Sequence, residues 1–335
     1  MIPGMFGEPF KKDRIKCTLC PHFCILKEGE VGRCGVRKNS GGKLFSLNSD
    51  KIIAIHTDPI EKKPLYHFLP GTRSLSIAAA GCNFRCKFCQ NHSISIIADE
   101  SEITGEKIDP DKIVEAAIIS KASSISYTYT EPTIFFELMY KTAIAAKEAG
   151  LKNVMVSNGF ISDHALEKLI PVLDGVNIDL KSFTEQFYSD QCGGRLAPVL
   201  DTIRTLNKSE CWLELTTLLI PELNTSAPEI EQLTSFIAEI NPEIPWHVSR
   251  FFPNFETLDI EPTDTELIEF ILDLSVKKGL KYVYGGNFDS EKWGDTRCNK
   301  CNSTLITRRG YDIKVSDFSD GKCMNCSAEI PGVWN

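Results

Sequence analysis

The chain has 335 residues, 42% of them hydrophobic and 24% charged, with a formal net charge of -8. This mix fits a globular protein of one large domain with small additions, and the acidic balance excludes a nucleic-acid binder that works through bulk positive charge. No apolar run approaches the ~20 residues of a membrane span, and Met1 to Phe10 lack the basic and apolar segments of a secretory leader, so a cytoplasmic protein with no membrane contact is expected.

Thirteen cysteines punctuate the chain. Cys17, Cys20, Cys24 and Cys34 fall in residues 1–70, a Gly-, Pro- and Lys-rich extension expected to form loops and short strands. Cys82, Cys86 and Cys89 open residues 71–292, and Cys298, Cys301, Cys323 and Cys326 lie in a compact tail, 293–335. Cys192 and Cys211 stand alone. Close C-x2-C spacing in a chain expected to be cytosolic points to metal ligands rather than disulfides.

The middle region alternates short apolar runs with longer amphipathic ones. Strands are predicted at 75–80, 124–129, 153–157, 176–180, 212–218, 246–248 and 281–284. Helices are predicted at 111–122, 133–149, 163–170, 198–207, 228–240 and 263–278, with Gly150 and Gly279 as stops. Strand followed by helix, repeated about six times, implies a parallel sheet, either an open doubly wound sheet or a barrel. Almost every predicted strand ends in polar residues or Gly, and such convergence favours a partial (β/α)6 barrel with its site at the C-terminal strand ends.

The first of those ends is Gly81-Cys82-Asn83-Phe84-Arg85-Cys86-Lys87-Phe88-Cys89. Three thiolates at C-x3-C-x2-C spacing suit three corners of a cubane that ordinarily takes four cysteine ligands. With no fourth cysteine near in sequence, one iron is left open for a substrate. Spacing, position after the first strand and the aromatic before the third cysteine resemble the radical S-adenosylmethionine (SAM) superfamily. That resemblance implies a [4Fe-4S] cluster whose open iron binds the amino and carboxylate groups of S-adenosyl-L-methionine. One electron then breaks a sulfur–carbon bond, giving methionine and a 5'-deoxyadenosyl radical.

The later strand ends are similar to those of pyruvate formate-lyase activating enzymes, and closer still to the radical enzyme of the AmmeMemoRadiSam system. Tyr127-Thr128-Tyr129-Thr130-Glu131-Pro132 stands where the activating enzymes carry a Gly-Gly-Glu turn, so Thr130 and Glu131 are expected at the cofactor's ammonium. The same residues also read as a helix start, with Thr130 as cap and Pro132 in the first turn. Ser157-Asn158-Gly159 and the Asp179–Lys181 pair match turns around the cofactor carboxylate, although alone they read as a turn and a surface ion pair. His247 matches a histidine near the ribose and competes with a buried structural role, and Arg250 is offered for a carboxylate or substrate anion. Asn287, after Gly285-Gly286, is expected either near the adenine or in a plain turn. The segment Asp58 to His67 resembles one shared by the subfamily, so Lys62, Lys63 and His67 are either substrate contacts or part of a solvated basic loop.

The four tail cysteines suit tetrahedral zinc in a zinc-ribbon-like unit, since so short a segment needs metal for stability. A redox dithiol is the competing reading. For Cys17, Cys20, Cys24 and Cys34 the sequence admits zinc, a second iron–sulfur cluster or a reactive thiol pair, with His22 available in place of one thiolate. The expected activity is hydrogen abstraction from an unidentified substrate. The resemblance implies an electron donor such as flavodoxin or ferredoxin, and a protein substrate (a backbone glycine in the activating enzymes) or Memo-type partner proteins. A zinc-binding interaction protein and an RNA-modifying radical enzyme are the alternatives, the latter disfavoured by the acidic charge.

Overall fold

The computed structural model describes residues 1–335. Its centre is an eight-stranded sheet of β1 (Ala54–Pro59), β2 (Arg73–Ala78), β3 (Ser124–Tyr127), β4 (Lys152–Ser157), β5 (Gly175–Asp179), β6 (Trp212–Leu219), β7 (Trp246–Arg250) and β8 (Val283–Gly286). The order in space is the order in sequence, and β2 through β8 run parallel. Strand β1 adds antiparallel to β2, with Ile55 opposite Ile77. β1 and β8 are the two free edges, so the barrel is partial, as expected.

Six helices connect the parallel strands: α1 (Pro110–Ile119), α2 (Phe136–Glu148), α3 (Asp163–Leu169), α4 (Leu196–Asn207), α5 (Ala227–Ile240) and α6 (Thr265–Lys277). Each presents an apolar stripe to the sheet; α2 buries Phe136, Met139, Ala143 and Ala146 at helical spacing. Against them the strands place Ile77, Ile125, Met155, Val176, Leu215 and Val248, all fully buried, each contributing roughly 1.5–3 kcal/mol if a large side chain. Because helices lie between successive strands, the loops at the C-terminal ends of β2–β8 open on one face.

Three differences from the sequence reading have local causes. The helix expected at 133–149 begins as a 3-10 turn, Pro132–Phe135, because the Glu131 side chain caps Thr133 N–H and Pro132 fixes the entry. The last strand lies two residues later than expected, since Gly285 and Gly286 pair with Val248 and Ser249. Edge strand β1 carries only weak alternation in sequence and draws on residues ahead of position 71.

Two small units flank the sheet. At the N-terminal end, the strands Gly7–Phe10, Arg14–Cys17 and Ile25–Leu26 form one small sheet, and Ile2–Pro3, Arg37–Ser40 and Lys43–Ser46 another. They are fixed to the barrel by Arg37, which donates to both Glu137 oxygens of α2 at 2.6 and 2.8 Å. At the other end, Thr296–Arg297, Thr304–Arg309 and Asp312–Val315 form an antiparallel sheet beside the hairpin Phe318–Ser319/Lys322–Cys323. Reciprocal backbone bonds Leu69 N–H to Val333 O (2.7 Å) and Val333 N–H to His67 O (2.8 Å) tie this unit to the segment before β2.

Candidate active site

The loop after β2 carries Cys82, Cys86 and Cys89, and all three line a cavity of about 700 Å³ at the C-terminal strand ends, within the size range of small-molecule sites. Gly81 permits the turn. Its φ of +106° lies in the left-handed region, and a Cβ would approach Val36 Cγ1 at 2.9 Å and the Cys34 carbonyl at 3.1 Å. Phe84 N–H (3.4 Å) and Asn158 Nδ2 (3.8 Å) point at the Cys82 sulfur, as donors to a thiolate do. Burial pushes the Cys82 and Cys89 thiols up, and a hydrogen bond with Cys192 does so first at Cys86; a bound metal would supply the charge that holds them as thiolates.

Cys192, isolated in sequence, therefore lies against Cys86. It is held there by Arg85 N–H to Cys192 O (2.8 Å) and Lys87 N–H to Gln191 O (3.0 Å). It is fully buried and does not line the cavity. The three loop sulfurs thus face the cavity without a fourth thiol on that side. This donor set fits a cubane with one corner open to a ligand.

The next strand ends line the same cavity. Tyr129 has φ 65°, so the turn keeps a glycine-like backbone although the glycines of the related turn are absent. Thr130 Oγ1 donates to Ala79 O at 2.6 Å, fixing the turn to β2. The Glu131 carboxylate accepts from Thr133 N–H (2.9 Å), Thr133 Oγ1 (2.6 Å), Ser157 Oγ (2.8 Å) and Asn158 N–H (2.9 Å). Burial pushes this carboxyl up and the four donors pull it back. Glu131 and Ser157, which both line the cavity, thus clamp β3 to β4. Asn158 continues the link, donating to Asn83 Oδ1 at 2.8 Å.

Asp179 and Lys181 pair at 2.9 Å on the opposite wall. Burial opposes the Lys181 charge, but Asp179 and the neighbouring thiols outweigh it and hold the ammonium firmly protonated. His247 lines the cavity while its Nε2 bonds Glu214 at 2.6 Å. Glu214, fully buried, also accepts from Tyr66 N–H, His67 N–H and Trp212 Nε1. Although burial opposes it, His247 and these donors hold its carboxyl below the usual range. Asn287 lines the cavity and donates to Arg250 O at 3.0 Å.

Two residues offered from sequence are engaged elsewhere. Arg250 Nε donates to Thr263 O at 2.7 Å, and the side chain does not line the cavity. His67 is buried, with Nδ1 on Pro331 O at 2.7 Å and Nε2 on Tyr284 Oη at 2.6 Å, and burial pushes its pKa down to about 4. It joins the barrel to the tail. Lys62 and Lys63 do line the cavity, but both pair with Asp58, at 2.9 and 2.7 Å, and Tyr129 Oη also donates to Asp58. Against the effect of burial, these donors hold the Asp58 carboxyl well below the usual carboxylate range. Lys63 and Asp58 are buried in this ionic network, whereas Lys62 stays exposed at its edge, so the segment is solvated only in part.

The tail cysteines converge. Their four sulfurs lie within 4.8 Å of one another, with Cys298–Cys326 and Cys301–Cys323 both at 3.6 Å. The tail also reaches the site. Tyr311, between two of its strands, lines the cavity. Arg308 lies 4.1 Å over the Tyr66 ring and donates to Tyr66 O at 2.8 Å.

Residues 76–233 match the family described as the Radical SAM superfamily. The chain is 40% identical over 333 residues to the uncharacterized protein MJ0808 of Methanocaldococcus jannaschii, covering 98% of this chain and 99% of that protein. It is 26% identical over 216 residues to the putative glycyl-radical enzyme activating enzyme MJ1632 of the same organism, covering 61% of this chain and 77% of that one. Among solved structures it shares its fold with Streptococcus suis SuiB in the S-adenosylmethionine-bound form, with a TM-score of 0.52 and 16% identity over 68% of this chain and 53% of SuiB. With the three-cysteine loop after the first parallel strand and a cavity ringed by the strand ends, these matches establish that the chain is an enzyme of the radical SAM superfamily.

Proposed function

We propose that Cys82, Cys86 and Cys89 hold the [4Fe-4S] cluster at which S-adenosyl-L-methionine is reductively cleaved, and that the resulting deoxyadenosyl radical takes a hydrogen atom from a substrate in the same cavity. The observation that carries this reading is the arrangement of three sulfurs with Thr130, Asn158, the Asp179–Lys181 pair, His247 and Asn287 around one cavity. The cluster and cofactor supply the radical chemistry. The chain's residues bind, orient and exclude water. Lys181 is suited to a carboxylate and Asp179 to an ammonium, the two charged groups of an amino-acid cofactor. His247, fixed by Glu214, and Asn287 line the cavity and supply an imidazole and an amide to it.

The substrate is taken to be a partner protein or a small molecule reached through the mouth beside Tyr311. The name of MJ1632 supports an activating reaction on a protein, and the tail cysteines and Asp58–His67 segment support the AmmeMemoRadiSam resemblance. A one-electron donor of the flavodoxin or ferredoxin class would supply the electron. In this reading residues 1–70 and 293–335 are additions to a core of 71–292, the first of them lending β1 to the core sheet and the tail stabilised by zinc, since its paired sulfurs approach the about 3.8 Å edge of a tetrahedron with Zn–S near 2.3 Å. No helix is long and apolar enough to cross a membrane, in keeping with a cytoplasmic site of action.

The test is anaerobic reconstitution with iron and sulfide, followed by dithionite and S-adenosyl-L-methionine. The wild type should form 5'-deoxyadenosine and methionine, and Cys86→Ala should form neither. Turnover by Cys86→Ala at the wild-type rate would defeat the proposal.

A further inference from the structure

We infer that Cys17, Cys20, Cys24 and Cys34 hold a second [4Fe-4S] cluster, closed by four cysteine ligands, beside the central loop. The presence of this cluster does not depend on the reaction proposed above; its role as an electron carrier rests on that reading.

The chain brings the four thiols together although they span 18 positions (34 - 17 + 1). Cys17 N–H donates to Cys24 O at 2.8 Å, and Gly32 N–H donates to Arg37 O at 2.7 Å, folding the Cys34 turn back toward Cys24. All four line one small cavity, with Cys17 and Cys34 buried and Cys20 and Cys24 partly so. Such burial suits a structural or electron-carrying centre better than a thiol pair that must meet substrate.

Spacing distinguishes iron–sulfur from zinc. The tail sulfurs have contracted to within 4.8 Å of one another, the compact arrangement a single zinc requires. No three of the N-terminal sulfurs contract in that way, and neither do those of Cys82, Cys86 and Cys89. The N-terminal set is therefore not preformed for a single zinc, and a cubane, which holds its cysteines farther apart, suits it better. The set differs from the central one in having a fourth cysteine, which leaves no open iron.

A second, independent observation is Arg37. Its side chain is 1% exposed and lines this cavity. Both Nη atoms are engaged, on Glu137 and Ile134 O, but Nε has no partner. A buried unpaired N–H is costly, and a cluster sulfur in the cavity provides an acceptor for it. The site also abuts the central loop. His22 Nε2 donates to Asn83 O at 2.8 Å, and the Cys34 carbonyl sits where a Cβ on Gly81 would meet it at 3.1 Å. A closed cluster here does not bind S-adenosyl-L-methionine; it is placed as a one-electron carrier next to the cluster that does.

The test uses the full chain, purified without oxygen and reconstituted with iron and sulfide. With two clusters the wild type holds about eight irons, and the triple variant Cys82→Ala/Cys86→Ala/Cys89→Ala retains about four. Retention of about four irons by that variant, lost on adding Cys20→Ala and Cys24→Ala, supports the inference. An iron-free triple variant carrying two zinc ions overturns it. Mössbauer spectroscopy of 57Fe wild type needs no variant. S-adenosyl-L-methionine should perturb about one iron in eight; perturbation of one in four means a single cluster and refutes the inference.

Discussion

Replacing Glu131 with Gln tests whether the acid of the Thr130–Glu131 turn touches the cofactor or holds the walls of its site. In the structure both carboxylate oxygens are engaged, one by Thr133 N–H, Thr133 Oγ1 and Ser157 Oγ, the other by Asn158 N–H. Glutamine keeps one acceptor. With its oxygen toward Thr133 and Ser157, the amide NH2 opposes Asn158 N–H and leaves that buried donor unpaired. A hydrogen bond to a charged group contributes about 1.5–3 kcal/mol, and an unsatisfied buried donor costs about 1–3 kcal/mol. The expected loss is about 3 kcal/mol, or a Tm lowered by roughly 4 °C for a chain of this size. Because Asn158 also points at Cys82 and Asn83, calorimetric titration should show weaker S-adenosyl-L-methionine binding while the iron content stays at the wild-type value. Thermal unfolding and titration of the same anaerobic preparation separate the two roles. An unchanged Tm with binding abolished would mean that the carboxylate contacts the cofactor directly, and the bridging role would be refuted.

Other perturbations follow from the geometry. Because the pKa of His67 is pushed down to about 4 from 6.5, the folded state binds fewer protons than the unfolded one between those values. Stability should therefore fall as the pH drops from 6.5 toward 4, by up to about 3 kcal/mol from this group; urea unfolding should show a steeper slope in the wild type than in His67→Gln, and equal slopes would remove the assignment. Arg37→Met leaves the Glu137 charge buried without its partner and should cost about 3–5 kcal/mol, with Arg37→Met/Glu137→Leu recovering much of it in chemical denaturation. Gly81→Ala forces a left-handed alanine against Val36 and the Cys34 carbonyl and should lower cluster loading, read as iron per chain, without unfolding the barrel. Removing the metal proposed for the tail with a chelator should raise hydrogen exchange across 296–335 and also at Tyr66–Leu69, which Arg308 and Val333 bond; protection unchanged at Tyr66–Leu69 would contradict that coupling.

Much of this site was legible because chemistry sits at strand ends. Cys82, Thr130, Asn158, Lys181 and Asn287 each follow an apolar run, and a parallel sheet gathers such positions on one face; His247 lies inside β7 and lines the same cavity. What the sequence hid depends on contacts between distant residues. Arg250 ends a strand like the others, yet its guanidinium is taken by the Thr263 carbonyl. His67 reads as a polar loop residue until the tail covers it. Glu214 organises His247, His67 and Tyr66; its only signal was an acid between Leu213 and Leu215 in a buried strand. Glu137, amid Phe135, Phe136, Leu138 and Met139, carried the same signal. Cys192 had none, because only the packing of its loop places it against Cys86.

The most direct test of the open metal corner is electron paramagnetic resonance of the dithionite-reduced Cys20→Ala/Cys24→Ala chain, in which the central loop is the remaining iron site on this account. Adding S-adenosyl-L-methionine should change the g-values of its reduced-cluster signal. A cluster signal that the cofactor leaves untouched would mean that all four corners are already ligated, and the central claim would fail.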